Sequence, residues 1–141
     1  MRRVLFDTNV VLDVLLDRQP DARASAAAWA SIEAGNCEGM LAAHAVTTVH
    51  YLAGKKMGAV KARRIVSALL RVFGVAAVDA ALVQEALHLP CSDFEDAVTA
   101  AAALAAGCEC IVTRDPKGFL GSPLRCLSPE AAMPLLVPGG E

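Results

Sequence analysis

Asp7, Asp93, Asp96 and Asp115 are the side chains of this sequence whose type and setting suit chemistry rather than packing. Asp7 follows the apolar run Val4-Leu5-Phe6 and precedes Thr8-Asn9 and a second apolar run, Val10 to Leu16. Such a switch puts a carboxylate at the carboxyl end of a strand, on the edge of an open α/β sheet where ligands bind. Capping the following helix is the competing role, since Asp, Thr and Asn all serve as N-caps. Asp115 stands in a similar place, just after Cys110-Ile-Val-Thr113 and Arg114. Asp93 and Asp96 are three apart, so they share a face near the start of a helix, where the dipole favours negative charge. Asp96 also opens an alanine-rich stretch suited to packing on a sheet, and an unpaired carboxylate is costly there. A cation should therefore balance it, either Arg114 or a divalent metal. Carboxylates and water suit Mg2+ or Mn2+. The chemistry that wants such a cluster is phosphodiester hydrolysis, in which metal lowers the pKa of the attacking water and neutralises charge in the transition state.

The elements that must position these acids alternate between strand and helix. Strands are expected at Val4–Phe6, Gly39–Ala43, Val75–Val78, Cys110–Thr113 and Leu124–Leu127. Helices are expected at Val10–Leu16, from an Asp21 cap to about Glu33, at Ala45–Gly54, from Val60 to about Leu70, and at Ala80–Leu87 behind an Asp79 cap. Ser92-x-x-Glu95 fits a capping box for a helix over Asp93–Ala106, stopped by Gly107. Ser128-Pro129-Glu130 opens a last short helix, with Pro at its first position. This alternation predicts one α/β domain over residues 1–136, built on a largely parallel sheet, with a frayed tail over 137–141. Right-handed crossovers put every strand's carboxyl end on one edge, so Asp7 and Asp115 share it.

Composition narrows the function classes. A net charge of −2 with 55% hydrophobic residues describes a compact globule with no global field for nucleic acid. Contact with a phosphate backbone must then come from a local patch. Lys55, Lys56, Lys61, Arg63, Arg64 and Arg71 form the one basic concentration, which equally suits the solvated face of an amphipathic helix. Aromatic residues are only 4%, so base stacking is not the expected means of recognition. Five cysteines, with only Cys108 and Cys110 close, are poor zinc spacing and read as reduced core residues. The longest apolar run, Ala97 to Ala106, is too short to cross a membrane. No signal peptide is recognisable after Met1-Arg2-Arg3, so a soluble, cytoplasmic protein is expected.

The stretches LFDTNVVLDVLL, DFEDAVTAAAALAAGCECIVTRD and LSPEAA together resemble the PIN domain, over essentially the whole chain. More narrowly they resemble the VapC-like toxin ribonucleases of type II toxin–antitoxin pairs. The resemblance implies a three-layer α/β/α sandwich on a parallel, about five-stranded sheet. It implies Mg2+- or Mn2+-dependent endoribonuclease activity, homodimers, and inhibition by a small antitoxin reaching into the acidic pocket. Asp7, Asp96 and Asp115 match the family's metal-coordinating acids. Asn9 matches the polar partner of the first acid, Thr113 the polar residue at the strand end, and Asp93 an auxiliary metal or water ligand.

Two departures stand out. The family's Glu on the third helix is replaced by His50, and Gly118 stands where many members have Asp. Asp13, four residues after Asn9, either stands in for the missing Glu or is an exposed helix acid. His50 reads best as a satisfied core histidine, with donor or ligand roles as alternatives. Arg114 either clamps the scissile phosphate or pairs with Asp96. Lys117, Lys55 and Lys56 are candidates for RNA backbone contact.

Two other functions compete. Asp7-Thr8-Asn9 after a strand resembles the opening of haloacid-dehalogenase-type phosphatases, whose first Asp is a nucleophile; Asn9 in place of a second Asp argues against it. Alternatively, the depleted acid set leaves a catalytically weak module that binds RNA or an antitoxin.

Overall fold

The computed structural model describes residues 1–138; residues 139–141 of the expected tail lie outside the described residues. Strand β1 is Arg3–Phe6, and its three apolar residues alternate between two cores. Val4 and Phe6 enter one core while Leu5 enters the other. A strand buried on both faces must be apolar throughout, which is why Val4-Leu5-Phe6 shows no polar alternation. Strand β4, Cys110–Val112, repeats the pattern: Cys110 and Val112 share the core of Val4, while Ile111 joins Leu5.

With β2 (Glu38–Ala42), β3 (Gly74–Ala76) and β5 (Arg125–Leu127), these strands form one parallel sheet in the order β3-β2-β1-β4-β5. The order reverses between β1 and β4, so the crevice where such sheets bind ligands lies outside their carboxyl ends. Seven α-helices among the described residues cover the sheet. α1 (Thr8–Leu15), α2 (Ala22–Glu33), α3 (Ala43–Met57), α4 (Ala59–Val72) and α7 (Pro129–Leu136) build the core around Phe6. α5 (Ala80–Ala86) and α6 (Phe94–Ala105) build the core around Leu5 and Ile111. The expected three-layer α/β/α sandwich is therefore present. α6 lies close because its inward side is almost all alanine, Ala97 and Ala100 to Ala103.

The structure corrects several local expectations. α3 passes through Gly54 to Met57, and the chain turns at Gly58, whose φ of +89° suits glycine. Gly54 lies inside the helix, where a Cβ would meet the Cβ of Ala62 at an ordinary contact distance of 3.8 Å. Ser92 does not cap α6. Asp93 does, its extended backbone letting a carboxylate oxygen accept from the Asp96 N–H at 3.1 Å. Asp79 and Ser128 cap α5 and α7 as expected, accepting from Leu82 and Ala131. Asp21 makes no capping hydrogen bond. No helix among the described residues is long and apolar enough to cross a membrane.

Candidate active site

At the switch point a buried threonine ties the ends of β1 and β4 together. Thr113, fully buried, donates its hydroxyl to Asp7 Oδ2 at 2.8 Å. The Thr113 Oγ1 in turn accepts from Asn9 Nδ2 at 3.4 Å and from the Asp115 N–H at 3.1 Å. Asn9 Oδ1 accepts from the Arg114 N–H at 3.2 Å, and Asp7 Oδ1 from the Thr8 N–H at 2.9 Å. Asn9 and Thr113 thus hold the loop after β4 against the start of α1. Asp7 does both things its sequence allowed, capping α1 and presenting a carboxylate at the sheet edge.

The third acid arrives from α6. Burial and the negative charges of Asp7, Asp93, Glu95 and Asp115 push the Asp96 carboxyl up to about 7. Burial likewise raises Asp7; its hydrogen bonds from Thr113 and Thr8 oppose the shift, while Glu95 and Asp115 add to it. Asp96 and Asp115 both border Gly118 in the short 3-10 helix η1, Pro116–Phe119. A Cβ on Gly118 would stand 2.7 Å from Asp96 Oδ2 and 3.3 Å from Asp115 Oδ2. Gly118 therefore means more than a lost acid, because any side chain there would collide with Asp96. Glu95 also belongs to this cluster, although its sequence position suggested only a cap. Its adjacency to Asp96 was the one available signal.

The donor set fits a hard divalent cation: oxygen ligands only, with burial and the like charges around it together raising the Asp96 carboxyl to about 7. Among the described residues, no three His, Cys, Asp or Glu side chains converge closely enough to grip an ion unaided.

Arg114 does not pair with Asp96. The chain bends at Arg114 after β4 ends, and the guanidinium leaves on the α1–α2 side. Its Nε donates to Asp13 Oδ2 at 2.7 Å and lies 3.6 Å from Asp21 Oδ2. Asp13 is fully buried rather than an exposed helix acid. Its Oδ2 is paired with Arg114, and its Oδ1 is buried without a hydrogen-bond partner. Arg114, Asp21 and Ser25 line a small, partly open cavity of about 80 Å3. His50 is partly buried, but its Nε2 is buried without a hydrogen-bond partner, so it is not the satisfied histidine expected. A histidine the sequence reading passed over, His44, sits at the start of α3 with Nε2 3.3 Å from the Thr99 hydroxyl of α6.

Lys117 lies in η1 beside the acids and is exposed. Lys55 and Lys56 end α3, about 18 Å along its axis from the sheet edge where it starts. Lys55 lies 5.2 Å from the centre of the Tyr51 ring. All five cysteines are free.

A family model described as PIN domain matches residues 3–117, a span that includes Asp7, Asp96 and Asp115. The chain belongs to the PIN domain family. Solved structures share the PIN fold. FitAcB from Neisseria gonorrhoeae superposes with a TM-score of 0.70 at 21% identity, covering 90% of this chain and 98% of that one. VapBC2 from Rickettsia felis, bound to a DNA fragment from its promoter, gives 0.68 at 14% identity, covering 89% and 98%. VapC20 from Mycobacterium tuberculosis, described as a Sarcin-Ricin loop cleaving toxin, gives 0.66 at 17%, covering 83% and 93%. No curated protein matches the sequence.

Proposed function

We propose that this PIN protein is a metal-dependent endoribonuclease and the toxin of a toxin–antitoxin pair. The observation that carries the reading is that β1, the start of α6 and the end of β4 bring three carboxylates to one edge of the sheet, where burial and then its neighbours' negative charge raise Asp96 to about 7. A group so placed is poised for metal binding or proton transfer near neutral pH.

Asp7, Asp96 and Asp115 would hold the Mg2+ or Mn2+ ion, with Asp93 and Glu95 adding negative field at the start of α6. When bound, the ion supplies a nucleophilic water and offsets charge on the phosphodiester. Thr113 and Asn9 hold Asp7 and the backbone of Asp115 in place through the hydrogen bonds described above. Thr113 donates to Asp7 Oδ2, which favours the ionised carboxylate against the burial that raises its pKa. Lys117 is the basic side chain next to the acids and supplies backbone affinity without sequence choice. Arg114, engaged by Asp13 and Asp21, is a poor phosphate clamp. Lys55 and Lys56 would meet RNA only if it ran the length of α3.

An antitoxin partner is supported by structural neighbours that are themselves toxin–antitoxin complexes, among them one from Klebsiella pneumoniae. Homodimerisation and action in the cytoplasm are part of the same proposal. A second reading, a weakly catalytic module that binds RNA or antitoxin, is favoured by His50 in the slot of the family's Glu. No observation favours the phosphatase alternative, because Asp7 caps α1 and accepts from Thr113 in a cluster of further acids.

Cleavage of total RNA with Mg2+, Mn2+ or EDTA tests the reading. Metal-dependent fragments that vanish in Asp7→Ala and Asp96→Ala are expected. RNA or antitoxin binding with no cleavage under either metal would leave the binding module.

A further inference from the structure

η1 carries Gly118 against two carboxylates at once, and its neighbour Phe119, 3% exposed, anchors that turn in the core beneath α6. The Gly118 N–H donates to the Asp115 carbonyl at 3.2 Å, fixing the turn from the other side. Gly118 is not among the glycines with positive φ, so backbone conformation does not demand glycine here. Space does. An ideal Cβ would lie 2.7 Å from Asp96 Oδ2, 3.8 Å from Asp96 Cγ and 3.3 Å from Asp115 Oδ2. Two carboxylate oxygens from different elements thus face the single point that a side chain would fill.

We propose that Gly118 is a positioning residue whose bare Cα sets the placement of the Asp96 and Asp115 carboxylates, and with it the room for a hydrated divalent cation. The inference rests on the metal-binding reading of the site. The atom a Cβ would strike is the far end of a short, rotatable side chain. The fold can therefore yield by turning the Asp96 carboxylate aside, and the damage falls on the site rather than on stability. An aspartate at 118 brings the same Cβ, so it displaces Asp96 even though it restores an acid.

The test is titration of the full chain with Mn2+, followed by the EPR signal of free Mn2+, for wild type, Gly118→Ala and Gly118→Asp. Melting curves are recorded without metal. Gly118→Ala is expected to weaken Mn2+ binding by at least about tenfold, the loss typical of disturbing a ligand's support. Its melting temperature should stay within about 3 °C of wild type. Gly118→Asp should bind no better than Gly118→Ala. Wild-type affinity in Gly118→Ala, tighter binding in Gly118→Asp, or a large loss of melting temperature in Gly118→Ala would each overturn the proposal. Failure of wild type itself to bind Mn2+ would instead remove the metal reading on which it stands.

Discussion

The Thr113 hydroxyl lies 2.8 Å from Asp7 Oδ2 and joins residues 106 positions apart. It bonds to the first acid, to Asn9 and to the backbone of Asp115 together. Thr113→Val keeps the shape but strands three polar groups, at a cost of about 1–3 kcal/mol read from urea unfolding. The lost donor was lowering the Asp7 pKa, so that pKa should rise further in carboxyl 13C NMR. Thr113→Ser should restore both.

Asp96 makes the metal-free chain pH-sensitive. Its folded pKa, about 7, stands above the ordinary 3.8, so the folded state keeps a proton that the unfolded state has released. Stability from this group is full below pH about 4 and is lost as pH rises towards 7, because the native state binds more protons in that window. Asp96→Asn should remove this part of the pH dependence and raise the melting temperature at pH 8 while abolishing Mn2+ binding. Thermal melts at pH 5 and pH 8, beside Mn2+ titration, check both halves.

Arg114 Nε pairs with the buried carboxylate of Asp13. Arg114→Ala leaves the carboxylate of Asp13 buried and unpaired and should cost about 3 kcal/mol, the low end for an orphaned buried charge because the arginine is 38% exposed. Asp13→Leu combined with Arg114→Leu should recover most of that loss in urea unfolding, since no charge is then stranded. A single change that left stability untouched would show that the pair is not formed in solution.

The two lysine groups should separate in RNA binding. Lys117→Ala is expected to weaken binding uniformly across sequences and to lower the slope of log K against log salt by about 0.7–0.9, one phosphate contact. Lys55→Ala with Lys56→Ala, at the far end of α3, should leave cleavage of a short oligonucleotide unchanged. Filter binding over a salt series and a gel assay separate the two.

Much of the architecture was legible in the chain. Period-2 and period-3.6 patterns are local, so Val4-Leu5-Phe6 and the alanine run after Asp96 announced a doubly buried strand and a close-packed helix. Asp7 and Asp115 were placed on one edge because every parallel strand ends there. What the sequence could not carry was the face to which each side chain turns and the distance across layers. Arg114 was free to meet Asp96 or Asp13, and the bend after β4 set it against Asp13. Glu95 joined the acids, and Gly118 turned from a lost ligand into a required space, only when α6 and η1 were set against each other. Local pattern determines which residues reach the edge. Their pairing and their pKa values depend on ångström-scale separations between elements up to about a hundred residues apart, and only tertiary packing sets those.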